Sequence, residues 1–280
     1  YVHCMNNSKI IGRGIITQND WGPWGGNNRR NPVSVGYEPV AYDSSNKPYY
    51  NGKGGEELGS SNVQVIGISI LDPTGWAVNI RNSNNVLFKD VNVVSARSNG
   101  DGITIQSSYN VFLDGCFVRS SDDSIVVKNY DNINAHDIRV EDCTVWNDIA
   151  QCLEIGYETD MGGAGSSRCE AGYSNSDAKI YNVLFKDIDI VHRFHKGVAT
   201  IHNGDNIPIY HIAYDGVYVD HKAKGTDNGG DGNDIDIEAY AVNRSDLSWT
   251  HNWHDVSGNT ISDVWYTNVN VEGGNATVGN

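Results

Sequence analysis

Three aspartates stand out by type and spacing: Asp101, flanked by Gly100 and Gly102, and the adjacent pair Asp122 and Asp123. Carboxyl groups held a few ångströms apart raise one another's pKa, so one can stay protonated beside ionised neighbours. That split puts a proton donor and a water-activating base in one place, the two groups that cleavage of a glycosidic bond requires. The plainer reading is that these residues end turns or hold a calcium ion. An isolated Asp-Asp invites it. A pair preceded by Gly-Asp-Gly one repeat earlier, in the same register, points instead to chemistry.

The register comes from a repeat that runs the length of the chain. Its pattern is Asn or Asp, apolar, any residue, apolar, any residue, then Gly, Asp or Asn, followed by alternating apolar residues. It reads NVQVIGISI from Asn62, NVLFKDVNV from Asn85, NVFLDGCFV from Asn110 and DIRVEDCTV from Asp137. It returns as NVLFKDIDI from Asn182, HIAYDGVYV from His211 and DVWYTNVNV from Asp263, with a weaker NSKIIGRGI from Asn7. The early copies lie 23, 25 and 27 residues apart (62 to 85, 85 to 110, 110 to 137). Alternation of apolar and polar residues is strand periodicity, and no segment sustains helical spacing. Short strands at this period without helices between them imply an all-β parallel solenoid. The general handedness of parallel crossovers makes it a right-handed parallel β-helix.

A second strand in each coil aligns by its inward pair: Ile103 and Ile105, Ile125 and Val127, Leu153 and Ile155, Ala199 and Ile201. Asp101, Asp123 and Gln151 then form a column, each two residues before its first inward position, and Asp122 sits at the head of its own strand. Coils stack at about 4.8 Å, so the three carboxylates fall within a patch about one coil high. Two adjacent aspartates reach one cleft only if a turn or bulge intervenes, and Ser120-Ser121 suits such a turn.

Asn99-Gly-Asp-Gly-Ile103 and Ser121-Asp-Asp-Ser-Ile125 resemble the N-T-D-G-I and Q-D-D-x-I motifs of polygalacturonases and the matching motifs of dextranases and isopullulanases, all on similar β-helices. CFVRSSDDS, and CTVW followed by LEIGYE, are closer to the dextranase version, and the resemblance covers roughly residues 60–220. It implies an inverting hydrolase with Asp122 as general acid and Asp101 and Asp123 holding and deprotonating the water. Where polygalacturonases carry G-H-G this chain has Ala150-Gln151-Cys152, and where they carry R-I-K it has Thr200-Ile201-His202. With both permanent cations absent there and a formal net charge of −15, a neutral polysaccharide or oligosaccharide is the expected substrate, and a pectin of the polygalacturonase type the alternative. Gln151, Glu154, His202, Lys128 and Trp24 are the candidate substrate contacts, each with a plain solvated-face or structural reading beside it.

Two other readings compete. A polysaccharide lyase shares this solenoid but needs a uronate substrate, and a non-catalytic carbohydrate-binding β-helix, such as an adhesin or tailspike, leaves the aspartates unexplained. The net charge repels phosphate backbones, so nucleic acid is not an expected partner. No apolar run reaches the roughly 18 residues of a membrane span. Hydrolysis by carboxylates calls for no cofactor. No metal is expected either: GGDGNDIDI at 229–237 is a single, imperfect copy of a calcium-binding repeat, and no HxxxH or HxH spacing occurs.

The 31 glycines among 280 residues, with 6 prolines and 2 methionines, fit a turn-rich β protein. Residues 1–280 read as a single catalytic β-helix with loop insertions at about 19–60, 157–178 and 220–260; the first and third carry aromatic residues that either offer faces to sugar rings or cap and cover the solenoid. The first copy has no cap, so a missing N-terminal segment is expected, and a secreted or periplasmic location fits the five cysteines and the polymeric substrate. Cys116 and Cys143 share the seventh, core-facing position of the repeat. There they form a stacked pair of small apolar side chains or a disulfide between coils. Cys152 and Cys169 could close the loop between them.

Overall fold

In the computed structural model the described residues are 2–18, 31–36, 41–42, 48–49, 59–129, 134–159, 179–193, 196–204, 207–220, 237–241 and 261–271. Trp24, Cys169, most of the three loop segments and nearly all of GGDGNDIDI lie outside them, and with Cys169 the question of its pairing. The chain is a right-handed parallel β-helix. Most coils contribute three short strands, and strands pair in parallel with their counterparts in the adjacent coils, the small hairpin of Ala41–Tyr42 with Pro48–Tyr49 excepted. Strands such as Val78–Arg81, Ile103–Gln106, Ile125–Asn129, Leu153–Thr159 and Ala199–Asn203 belong to an eight-stranded sheet. The other two sets, represented by Tyr109–Asp114 and Phe117–Ser120, belong to a fourteen-stranded sheet, because the long strands Ile180–His192 and Ile209–Val219 run through the bend that separates them elsewhere.

The repeat pattern has a backbone cause. Its first residue is left-handed in all eight copies, with φ between 50° and 59° at Asn7, Asn62, Asn85, Asn110, Asp137, Asn182, His211 and Asp263. The sixth, at the bend, is left-handed as well: Gly67, Asp90, Gly115, Asp142, Asp187, Gly216 and Asn268 have φ between 51° and 75°. Glycine adopts this region without strain, and Asn and Asp tolerate it because their short side chains bond locally. Asparagines at the first position also bond from coil to coil, as Asn62 Nδ2 does to Asn7 Oδ1 at 3.0 Å. Between these fixed points the alternating residues turn inward. Val63, Val86, Val111, Ile138, Val183 and Ile212 stack as Cα partners with no more than 2% exposure. Each such burial stabilises the fold by about 1.5–3 kcal/mol.

The column at the seventh position is buried as expected, and Cys116 and Cys143 occupy it as neighbouring thiols, without a disulfide. In-register stacking shows on the surface too, where the rings of Tyr109, His136, Tyr181 and Tyr210 lie parallel with centroids 4.8–5.2 Å apart.

Candidate active site

The inward pairs align as the repeat requires: Ile103 with Ile125, Ile125 with Leu153, and Leu153 with Ala199. Backbone bonds carry this register outward past the strand ends, from Gly102 N to Asp123 O at 2.9 Å and from Ser124 N to Gln151 O at 2.9 Å. Asp101, Asp123 and Gln151 are therefore stacked, one per coil. Trp76, two residues before Val78, heads the same column, since Ala77 N donates to Asp101 O at 2.9 Å.

Asp101 needs glycine on both sides. A Cβ on Gly100 would lie 2.4 Å from Arg97 O, and one on Gly102 would lie 2.3 Å from Val118 Cγ1 and 2.4 Å from Ser124 O. Gly100 is crowded by its own turn and Gly102 by the neighbouring coil, so a side chain at either would force backbone apart. Asp122 and Asp123 lie in the turn between Phe117–Ser120 and Ile125–Asn129, so strand alternation does not drive their side chains apart. Asn147, one coil on, brackets that turn: its Nδ2 is 2.8 Å from Asp122 O, 2.9 Å from Ser124 Oγ, 2.9 Å from Gln151 O and 3.4 Å from Ser120 Oγ, two protons shared among four acceptors. Ser120 Oγ donates to Asp122 O at 2.7 Å and lies 2.8 Å from Ser124 Oγ. Ser121 Oγ donates to Arg97 O, tying this turn to the one that carries Asp101.

The three aspartates have different surroundings. Asp101 and Asp123 are buried, whereas Asp122 is half-buried and its Oδ1 accepts the Asp123 amide at 3.0 Å. Beneath the buried pair lies the Lys128 ammonium, 3.1 Å from Asp101 Oδ2, 3.7 Å from Asp123 Oδ2 and 3.1 Å from Glu158 Oε2. It also stands 4.6 Å from the centroid of the Trp76 ring. Burial pushes Asp101 up to about 7; the Lys128 charge opposes that rise, and the nearby Asp122 and Glu158 charges add to it. Asp123 is likewise raised well above the ordinary carboxylate range by burial, against Lys128 and with Asp122, Asp101 and Glu154.

Glu154 and His202 form a second buried group on the same sheet, one and two coils further on. Glu154 Oε1 is 2.7 Å from His202 Nδ1, and Thr200 Oγ1 donates to Oε2. Lys128, Glu154 and His202 all lie outward of the core, yet none is more than 3% exposed and their polar atoms meet protein partners. Gln151 is buried in the aspartate column.

Several residues here escape a reading of motifs: Trp76, Asn147 and Glu158. Two had a signal. Trp76 precedes the inward pair Val78 and Ile80 by the same offset as the aspartates. Asn147 is the partner of Ser120, itself the partner of Ser95. These three are polar and buried where alternation after Val93, Val118 and Val145 calls for an apolar residue. Glu158 had none. Three residues, Gly156-Tyr157-Glu158, stand opposite the single Lys128 in a bulge between Ile155 and Thr159. Gly156 permits it with φ at +110°, where a Cβ would lie 2.0 Å from His202 O.

A parallel β-helix with buried carboxylates stacked at the head of one sheet is the architecture of β-helical polysaccharide hydrolases. The chain belongs to glycosyl hydrolases family 28, whose model matches residues 57–278. Among solved structures it is similar to a hyperthermoactive exopolygalacturonase from Thermotoga maritima, with 19% identity, a TM-score of 0.41 and coverage of 57% of this chain and 48% of that one. It is also similar to an endo-xylogalacturonan hydrolase from Aspergillus tubingensis, with 13% identity, a TM-score of 0.42 and coverage of 79% and 62%. A family 28 exopolygalacturonase from Yersinia enterocolitica aligns at 12% identity, a TM-score of 0.39 and coverage of 94% and 59%. The chain thus spans between 48% and 62% of the length of these proteins. No curated protein matches it.

Proposed function

We propose that the chain hydrolyses glycosidic bonds of a pectic polysaccharide of the galacturonan type, with inversion at the anomeric carbon. The observation that carries the mechanism is the division of the three aspartates into a buried stacked pair over Lys128 and a half-buried third beside it. Asp122, in its acid form, protonates the leaving oxygen as the glycosidic bond breaks. Asp101 and Asp123 hold the water that attacks the opposite face and take its proton. A carboxylate raised towards neutrality is a stronger base than an ordinary one, which suits the pair to that task.

Family 28 membership supports the pectic substrate over the neutral glycan suggested by Thr200 and His202, and it favours hydrolysis over the lyase and the non-catalytic readings. One observation keeps the neutral glycan as a second reading. The position where an arginine and a lysine would grip a uronate holds Thr200 and His202 engaged with the Glu154 carboxylate. A polymeric substrate would place the enzyme's action outside the cytoplasm. The test is incubation with polygalacturonate, xylogalacturonan, dextran and pullulan, with proton NMR of the first-formed product. Cleavage of a galacturonan to the inverted anomer is expected. Activity confined to the neutral glucans would overturn the substrate, and a retained anomer would overturn the mechanism.

A further inference from the structure

The site holds an ion cluster that the hydrolysis step does not itself use. Lys128 reaches back along the sheet from the column of Arg81 and Gln106 to lie beneath the aspartates. It meets Glu158 there at the same 3.1 Å as it meets Asp101. That second contact depends on the bulge, because an unbroken strand would place Gly156, not Glu158, in the position paired across the sheet. We propose that Lys128 and Glu158 are positioning residues that act in opposition on the water-activating pair: Lys128 favours the ionised form of Asp101 and Asp123 against their burial, and Glu158 draws part of that charge away. The proposal rests on the reading of Asp101 and Asp123 as the base.

Titratable and charged groups stand on every strand around the pair. Asp122 and Lys128 lie on its own coil, Glu154 and Glu158 on Leu153–Thr159, His202 on Ala199–Asn203, and Arg81 on Val78–Arg81. His202 is turned to Glu154 at 2.7 Å. Of these cations, Lys128 is the one in contact with Asp101 and Asp123, so its charge is the dominant attraction. Glu158, half-buried and bonded to the same ammonium, competes for it directly. A base must be ionised to accept the water's proton, so the acid limb of the rate profile follows the pair. Removing the Glu158 charge strengthens the hold of Lys128 and moves that limb to lower pH; removing the Lys128 charge moves it to higher pH.

The test is the pH dependence of kcat/KM on polygalacturonate for the unaltered enzyme, Glu158→Gln, Lys128→Met and the double variant. It is paired with carbon-13 NMR titration of aspartate carboxyls in the same proteins, which needs no substrate. Glu158→Gln should lower the limb and the NMR midpoint by about one unit, or about tenfold in rate at a fixed pH on that limb. Lys128→Met should raise both, and the double variant should fall between. Glu158→Gln leaving the midpoint in place or raising it, or both single variants moving it the same way, would overturn the proposal. If Lys128→Met fails to fold, Glu158→Gln decides alone. Opposed NMR shifts in a protein that cleaves none of the pectic glycans would leave the charge pair standing and remove the substrate reading instead.

Discussion

At the scale of single residues, the burial of Asp101 has two consequences, one for chemistry and one for stability. Its folded-state pKa of about 7 lies above the ordinary 3.8, so the folded protein binds that proton more tightly than the unfolded chain. The sign follows directly: stability falls as pH rises from about 4 to about 7 and is level beyond. Asp101→Asn keeps the shape, removes the charge and relieves crowding with Asp122, Asp123 and Glu158. Thermal unfolding should show a melting temperature raised by a few degrees at pH 7 and little changed at pH 4, in a protein that has lost its activity. Asp122→Asn should lower turnover on a confirmed substrate by about 10²–10⁴-fold, the usual contribution of a general acid, with thermal unfolding essentially unaltered. Near-full activity in the Asn variants of all three aspartates would place the active site elsewhere.

At the scale of elements, the turns do the positioning and the strands supply the register. The bend residues are left-handed whatever their type, and Asp142 makes a clean test because it is exposed, with φ at 52°. A β-branched side chain is strained there by about 1–2 kcal/mol, so Asp142→Val should destabilise by about that amount in a denaturant titration. Asp142→Gly should be close to neutral. The Asn147 bracket works differently. Asn147→Ala removes the amide that holds Asp122, Ser124 and Gln151 together and leaves buried acceptors unsatisfied, at about 1–3 kcal/mol for such a group. Activity should fall further than that stability loss explains, because the turn it releases carries two of the three aspartates. Stability and turnover measured on the same protein separate the two effects.

At the scale of the whole molecule, a net charge of −15 would set how the chain meets the proposed polymeric substrate. A galacturonan is itself a polyanion, and like-charged bodies repel over roughly 8–10 Å at physiological salt. Added salt screens that repulsion, so kcat/KM on polygalacturonate should rise with ionic strength until the site's own ion contacts weaken. A neutral glycan would show almost no such rise. The salt series therefore reports substrate charge independently of the product analysis, and a flat profile on the preferred substrate would favour the neutral reading.

The coil itself is legible in the sequence because its causes are local. Left-handed residues at the first and sixth positions favour Asn, Asp or Gly, and inward positions favour Val, Ile or Leu, so most copies state their own geometry. The same register predicts that Asp101, Asp123 and Gln151 stack, since one parallel coil step carries each residue onto its counterpart. What only the tertiary structure decided is what crosses the coils without regard to that register. The bulge that delivers Glu158 to Lys128 is marked in the sequence by Gly156, but a glycine does not say which side chain the bulge brings round. A lysine side chain is long enough that its column does not say which carboxylates it reaches. Asn147 reads as a lapse in alternation until the neighbouring coil supplies the buried acceptors it serves. Backbone periodicity is written residue by residue, whereas side-chain partnerships depend on which surfaces the completed coils press together.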